Sequence, residues 1–247
     1  MAAIGLLVLL VIVALVGTGW YVAGLCMHAG SGLPACIGQV RHQLIATQSG
    51  AAFQLVFQGI LDAVAAFYLL LVLPAIAREP LTRLGFRPLR ARDLGIAVVG
   101  ALVMVVIVNG LGTLLQTLFH SKEQEMAVKL LLLLKSPENK LIAAILAIVV
   151  APIAEELAFR VFVFNFALRR WSFWTAAIVS GVLFGFAHTD QFALAGLATT
   201  IPLAIGGIVL CRVYFTSGNA MSSMITHGLF NAVSVVGLFL APNIVGK

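Results

Sequence analysis

The sequence predicts an all-α fold, a polytopic bundle of about seven transmembrane helices with one further amphipathic segment at the membrane interface. Hydrophobic residues make up 62% of the 247 residues and charged residues only 10%, against about 25% charged residues in an average soluble domain. Long apolar runs recur along the chain, and helices are the only single segments that satisfy their own backbone hydrogen bonds in lipid. This composition excludes both a soluble globule and a disordered chain.

Seven apolar runs approach the length that a bilayer requires, about 20 residues. They cover residues 3–25, 51–77, 94–118, 139–168, 172–188, 192–215 and 220–241. No basic segment precedes the first run, which is also long for a signal-peptide core, so we expect a first transmembrane helix there. The shorter run Met126–Leu134 is bracketed by lysines and predicts the interfacial amphipathic segment.

The runs divide the chain into two regions. Residues 1–138 are predicted to form an N-terminal transmembrane region of three spans, and residues 139–241 a catalytic helical core. The connection at 78–93 holds five arginines, and basic connections stay in the cytoplasm. Alternating outward from it predicts a cytoplasmic N-terminus for an integral, multi-pass protein, which in a prokaryote would lie in the plasma (inner) membrane.

The excess of basic residues, a net charge of +6, lies mostly in short connections between the runs. It therefore indicates orientation in a lipid bilayer, and we expect no nucleic-acid partner. The three cysteines form no CxxC pair. Cys26 and Cys36 flank one predicted loop and would suit a disulfide if that loop is extracytoplasmic, whereas Cys211 is expected to be packing.

Three charged residues fall in the middle of the fourth run instead of in a connection. Glu155, Glu156 and Arg160 would each cost about 2.5–3.5 kcal/mol at a helix centre, and ionisable groups in such places are functional candidates. Glu156 and Arg160 are four residues apart, which predicts a local ion pair. Glu155 points about 100° away from Glu156 and needs another partner. Pro152 predicts a kink beside these charges.

The fourth and fifth runs form a predicted hairpin that brings His188 to Glu155. Glu155 precedes the turn near Trp171 by about sixteen residues, and His188 follows the turn by about as many. Both residues then lie roughly 24 Å from the turn at 1.5 Å per residue. Phe184 lies one helical turn before His188 and is expected to wall the site.

On the last run, His227 and Asn231 are four residues apart, share a face and can both donate hydrogen bonds. His227 follows Asn219, in the preceding turn, by only eight residues. With straight spans of equal length, His227 would lie at a shallower depth than Glu155. A tilted helix, or a break at Pro202, would bring the two to one level.

Other residues in the runs are expected to contact neighbouring helices. Gln54, Gln58 and Asp62 form a polar stripe on the second run, which would either line a substrate cavity or, as we expect, make contacts between helices. Glycines of the fifth and sixth runs should allow close helix packing; they are Gly181, Gly185, Gly206 and Gly207.

Together these polar residues resemble the three motifs of a known protease family. The motifs are Glu155-Glu156-x-x-x-Arg160, Phe184-x-x-x-His188 and His227-x-x-x-Asn231. In order and spacing they are similar to those of the CPBP family, the CAAX proteases and bacteriocin-processing enzymes also called Abi proteins, which includes Rce1-like enzymes. The resemblance covers residues 139–241. Val161 departs from it, because glycine often follows the motif arginine in the family.

The resemblance implies an intramembrane endopeptidase that cleaves membrane-associated protein or peptide substrates, such as a C-terminal or leader segment. By analogy, Glu155 is the general base, and His188 helps to hold and activate the water. His227 and Asn231 would stabilise the oxyanion, with Glu156, Arg160 and Phe184 in supporting roles. The resemblance favours a reaction without a metal cofactor.

The sequence also permits three other interpretations. Glu155, His188 and His227 supply a two-histidine, one-carboxylate set that would suit zinc. A non-proteolytic scaffold or bacteriocin-immunity-type protein would keep the motifs for their structural value. A transporter would place Asp62, Glu155 and Arg160 on a translocation path, although the sequence lacks the paired broken segments of inverted repeats.

Overall fold

The computed structural model describes residues 46–121, 125–189 and 194–240, together with Val40 and Leu44. Within these residues the secondary structure is helical, without strands, which confirms the all-α prediction. The helices are α1 (Gln48–Ala77), α2 (Ala91–Leu118), α3 (Met126–Leu133), α4 (Pro137–Leu168), α5 (Phe173–Ala187), α6 (Leu194–Ser217) and α7 (Ala220–Leu240). The predicted first span at 3–25 and the Cys26–Cys36 pair lie outside the described residues.

Helices α1, α2, α4, α6 and α7 are long and apolar enough to cross a membrane. The remaining predicted span is α5, which is apolar but has only 15 residues. Large apolar side chains lie exposed on the outside of the bundle, such as Phe67, Val106 and Leu240 at 66%, 71% and 81% exposure. Such a surface suits lipid and not water. The chain is therefore an integral, multi-pass membrane protein.

Local sequence signals set several helix ends. Thr47 caps α1 by accepting a hydrogen bond from Gly50 N–H at 3.1 Å, and Ser136 caps α4 in the same way, with Pro137 in the first turn. Ser172 caps α5 by accepting from Thr175 N–H at 3.3 Å. Hydroxyl caps of this kind satisfy backbone donors that have no partner inside the helix. The cap at Ser172 ends the tight turn of the predicted α4–α5 hairpin.

The segment predicted to lie at the interface is α3, and it packs into the bundle. Leu130, Leu131 and Leu134 are buried in a cluster with apolar residues of α1, α4 and α7. The amphipathic pattern predicted the helix but not this packing. Because α3 contacts α1 and α7, it holds the residue that precedes it, Glu125, close to the interior of the bundle.

The turn between α6 and α7 is buried beneath the connection between α1 and α2. Asn219 in the turn is 0% exposed. Arg87 donates from Nε to Gly218 O at 3.0 Å, and the Ala220 N–H donates to Gly85 O at 2.9 Å. Helix α7 therefore begins inside the bundle and not at its surface.

The basic connections meet at one end of the bundle. Arg87 contacts the α6–α7 turn, and Arg169, after α4, donates from Nη2 to Ala77 O at the end of α1 at 3.0 Å. This agrees with the predicted topology, in which these connections share a side. That this side is cytoplasmic stays a prediction.

Glycines let the backbones of α5 and α6 come very close together. A Cβ at Gly181 would lie 2.5 Å from Ala204 O, and one at Gly185 would lie 2.5 Å from Thr200 O. Gly207 faces the Gly181 backbone across the same interface. The predicted role of these glycines is confirmed, and the contact supports the helix that ends at His188.

We expect Gly185→Ala to destabilise the protein by about 1–3 kcal/mol, because the added methyl group must push the α6 backbone away. Thermal unfolding in detergent, followed by tryptophan fluorescence, measures the effect. Gly95→Ala on α2 is the matched control, since a Cβ there would meet nothing within 4 Å. Equal unfolding midpoints for the two variants would show that the α5–α6 contact is not tight.

Candidate active site

Helix α4 changes its hydrogen-bonding register on both sides of the paired glutamates. Two π-helical stretches, Leu146–Val150 and Leu157–Phe164, flank the α-helical segment Ala151–Glu156. Pro152 lies in that segment and has no N–H to donate. The irregularity predicted at this proline is therefore a change of register within one continuous helix. Such π turns are frequent at functional sites.

Glu155 faces two histidines from other helices. Its Oε2 lies 3.5 Å from His188 Nε2 and 3.8 Å from His227 Nε2. The predicted meeting of Glu155 and His188 across the α4–α5 hairpin is confirmed. Oε2 is shielded from solvent yet accepts no hydrogen bond from any described residue. Buried acceptors are rarely left without a donor, and the two imidazoles are the polar groups that face this oxygen.

Glu156, the next residue, is buried in an ion pair. Its Oε1 lies 3.0 Å from Arg160 Nη1, and both side chains are 0% exposed, whereas the side chain of Glu155 is 23% exposed. The predicted Glu156–Arg160 pair is therefore confirmed. Arg160 also donates from Nη2 to Gly207 O on α6 at 3.3 Å. The two adjacent carboxylates thus differ, since Glu156 is closed off from solvent and Glu155 is partly exposed to it.

The two histidine rings are held by their Nδ1 atoms. His188 Nδ1–H donates to Phe184 O at 2.8 Å, and His227 Nδ1–H donates to Glu156 Oε1 at 3.1 Å. Both rings therefore turn Nε2 towards Glu155. Hydrogen bonds of this kind fix the tautomer and the orientation of an imidazole.

Phe184 forms the wall predicted for the site. Its ring centroid lies 4.5 Å from that of His188 and 5.6 Å from that of His227. The Arg160 guanidinium lies over the Phe184 ring, with its carbon 4.4 Å from the ring centroid. The phenyl ring therefore contacts both imidazoles and the Arg160 guanidinium, and it limits the movement of all three groups.

His227 reaches the depth of Glu155 although equal spans would leave it shallower. The reason is the buried α6–α7 turn, in which Asn219 hydrogen bonds to Arg87 O and Asp93. Because α7 starts below the α1–α2 connection, eight residues suffice to reach the site. A break at Pro202 is not needed, since α6 continues through that residue.

Asn231 lies on the same helix but has a different partner. Its Nδ2 donates to Ala147 O, in the first π-helical stretch of α4, at 2.8 Å. No contact joins Asn231 to Glu155 or His188 among the hydrogen bonds of the described chain. One of its two amide hydrogens is used in this bond, which leaves the second for another acceptor.

Two carboxylates from the N-terminal region also approach the site. Glu125 Oε1 lies 3.9 Å from His188 Nε2, and Asp62 is near enough to Glu155 and His188 for an electrostatic interaction. Glu125 was not predicted, because it precedes a short helix and belongs to no motif. In the polar stripe, Gln58 donates to Asp62 at 2.8 Å, and Gln54 donates to Leu44 O.

The three residues of the proposed zinc set lie somewhat farther apart than the ligands of a zinc ion do. Three ligands of a tetrahedral zinc ion lie about 3.3 Å apart, given bonds of about 2.0–2.1 Å. Glu155 Oε2 is 3.5 Å from His188 Nε2 and 3.8 Å from His227 Nε2. Within the described ranges, no three His, Cys, Asp or Glu side chains are arranged to hold a metal ion.

Residues 137–233 match the profile of a known family, described as "Type II CAAX prenyl endopeptidase Rce1-like". No curated protein and no solved structure gives a significant match to the chain. The matched segment runs from α4 into α7 and contains all seven residues of the three motifs, namely Glu155, Glu156, Arg160, Phe184, His188, His227 and Asn231. Residues 137–233 are therefore similar to the Rce1-like family of CAAX-type intramembrane proteases.

Proposed function

We propose that the protein hydrolyses peptide bonds of membrane-associated proteins or peptides with a water molecule activated by Glu155 and His188, without a metal ion. The observation that carries this proposal is the convergence of Glu155 Oε2 with Nε2 of His188 and of His227, at 3.5 and 3.8 Å. Glu155 Oε2 has no hydrogen-bond donor among the described residues. A water molecule held between carboxylate and imidazole would supply one.

In the first step, Glu155 takes a proton from this water while the water oxygen bonds to the carbonyl carbon of the substrate. General-base catalysis of this kind contributes about 10²–10⁴-fold. His188 holds the water through Nε2, and its ring is kept in place by Phe184 O at 2.8 Å. The partial exposure of Glu155, 23% of its side chain, leaves a way in for water and peptide.

In the second step, the tetrahedral oxyanion accepts hydrogen bonds from His227 Nε2–H and from the second amide hydrogen of Asn231. One such donor contributes about 3 kcal/mol. For His227 this requires a proton on Nε2 while Nδ1–H stays bonded to Glu156, 3.1 Å away. The carbon–nitrogen bond then breaks, and Glu155 returns its proton to the leaving amine. A free carboxylate and a free amine are the products.

Glu156 and Arg160 are supporting residues in this proposal. They are fully buried, so they do not meet substrate directly. Their pairing fixes the α4 turn that carries Glu155, and Glu156 also orients His227. Phe184 packs against both imidazoles and limits their movement. We propose a C-terminal or leader segment as the cleaved part of the substrate, because such ends can enter a membrane-embedded cleft.

Comparison of protein N-termini in cells tests this proposal. Cells that carry the wild type should contain new N-termini that are absent from cells with Glu155→Ala at equal protein levels. These termini also name the substrate. Identical sets of N-termini would contradict proteolysis and favour a scaffold or immunity-type role. Solute flux in vesicles that depends on Glu155 would instead indicate a transporter.

Chelation tests the metal-free part of the proposal. We expect 1,10-phenanthroline and EDTA to leave cleavage by the purified protein unchanged, because the reaction uses protein side chains alone. Elemental analysis of the same preparation should find substoichiometric zinc. A zinc hydrolase as the matched control loses activity under the same conditions. Loss of activity that zinc restores would show that Glu155, His188 and His227 bind a metal.

A further inference from the structure

We infer that Asn231 is also a positioning residue, which supplies α4 with the hydrogen bond that Pro152 removes. Its side-chain amide donates to Ala147 O at 2.8 Å. This bond joins α7 to the α4 backbone about two helical turns before Glu155. It gives Asn231 a role that does not depend on contact with substrate.

The Ala147 carbonyl lacks its usual backbone donors in its own helix. A carbonyl at residue i accepts from the N–H of residue i+4 in an α-helix and of residue i+5 in a π turn. For Ala147 these donors belong to Ala151 and Pro152. The Ala151 N–H donates to Leu146 O instead, and proline has no N–H. Without Asn231, a carbonyl in the bundle would lack a partner in either register.

Helix α7 also covers the carbonyl of the next residue, Ile148. Ile148 is the residue to which position 152 would donate in a regular α-helix. Gly228 rests against this carbonyl so closely that a Cβ would lie 2.6 Å from Ile148 O. Gly228 and Asn231 are three residues apart and share a face of α7. One face of α7 thus meets both carbonyls that Pro152 affects.

Helix α7 also contacts α4 at the residue that follows Glu155. His227, next to Gly228, binds Glu156 at 3.1 Å. Helix α7 therefore fixes α4 before Glu155, at Ala147 and Ile148, and directly after it, at Glu156. These contacts before and after Glu155 hold its carboxylate in the direction of His188. The side chain of Asn231 thus replaces the backbone hydrogen bond that Pro152 removes from α4.

A double-mutant cycle between the two residues tests this inference. Asn231→Ala alone should lower the midpoint of thermal unfolding in detergent by about 4 °C, because it leaves a carbonyl unsatisfied. In a Pro152→Ala background the restored N–H can donate to α4, so the same substitution should lower the midpoint by less than half as much. Pro74→Ala, in α1, is the matched control proline and should show no coupling with Asn231→Ala.

Equal losses of midpoint in the wild-type and Pro152→Ala backgrounds would overturn the inference. If Pro152→Ala does not fold, hydrogen–deuterium exchange of Asn231→Ala alone decides. Exchange should then rise in residues 146–156 and stay unchanged in α2, and unchanged exchange in 146–156 would also overturn the inference. Neither readout needs a substrate, so both are independent of the proposed function.

A third measurement, which rests on the proposed function, distinguishes a positioning role of Asn231 from a merely structural one. In Asn231→Ala, kcat should fall while KM stays close to the wild-type value. In the double variant with Pro152→Ala, kcat should partly recover, because the α4 backbone is again held. An equally low kcat in both backgrounds would contradict positioning and leave Asn231 as an oxyanion donor only.

Discussion

Glu155→Gln is expected to lower kcat/KM by about 10³-fold while the thermal stability stays unchanged. Glutamine has nearly the same shape and keeps an oxygen acceptor, but it cannot take a proton from water. Its fold should survive because Glu155 Oε2 accepts no hydrogen bond from a described residue. Purified protein in lipid vesicles, with a substrate found by N-terminal comparison, gives the rate.

Glu138→Gln is the matched control for this prediction. Glu138 lies exposed in the first turn of the same helix, far in sequence from the cluster. It should retain the wild-type rate and the wild-type unfolding midpoint. If Glu155→Gln cleaves the substrate as fast as Glu138→Gln does, then Glu155 is not the base and the mechanism is wrong.

Arg160→Met is expected to produce the largest loss of stability. It leaves Glu156, which is 0% exposed, as a buried charge without its cation, and removal of one partner from a buried pair costs about 3–5 kcal/mol. Arg160→Lys should not restore stability, because an ammonium cannot both reach Gly207 O and stack on Phe184 as the planar guanidinium does. Unfolding by heat or denaturant measures both variants.

The double variant Glu156→Gln with Arg160→Met should regain most of this stability. Replacing both members of a buried ion pair with groups of similar size is often close to neutral. Its cleavage rate should stay low, since His227 loses the carboxylate that orients it at 3.1 Å. A single Arg160→Met variant that unfolds at the wild-type midpoint would show that the pair does not support the helix.

The part of the site that could be predicted from the sequence depends on local geometry. The Glu156–Arg160 pair follows from their spacing of four residues, and the approach of His188 to Glu155 follows from equal distances to one short turn. Both contacts lie within a single helix or a single hairpin. In such units the rise per residue fixes where each side chain lies.

The contacts that could not be predicted depend on how separate elements pack. The depth of His227 follows from the burial of Asn219 under the α1–α2 connection. The partner of Asn231 follows from a π turn, which shifts the carbonyl of Ala147 out of its usual pairing. Glu125 reaches His188 only because α3 packs into the bundle. The spacing of residues within one apolar run does not predict such contacts between separate elements.

The most direct measurement compares Glu155→Gln with Glu156→Gln in the same preparation, with kcat and the unfolding midpoint determined for each. The two residues are adjacent but differ in surroundings, since one faces two imidazoles and the other is closed in an ion pair. We expect Glu155→Gln to lose kcat and keep its midpoint, and Glu156→Gln to lower the midpoint. A Glu155→Gln protein that keeps kcat, or a Glu156→Gln protein with an unchanged midpoint, would contradict this division of roles.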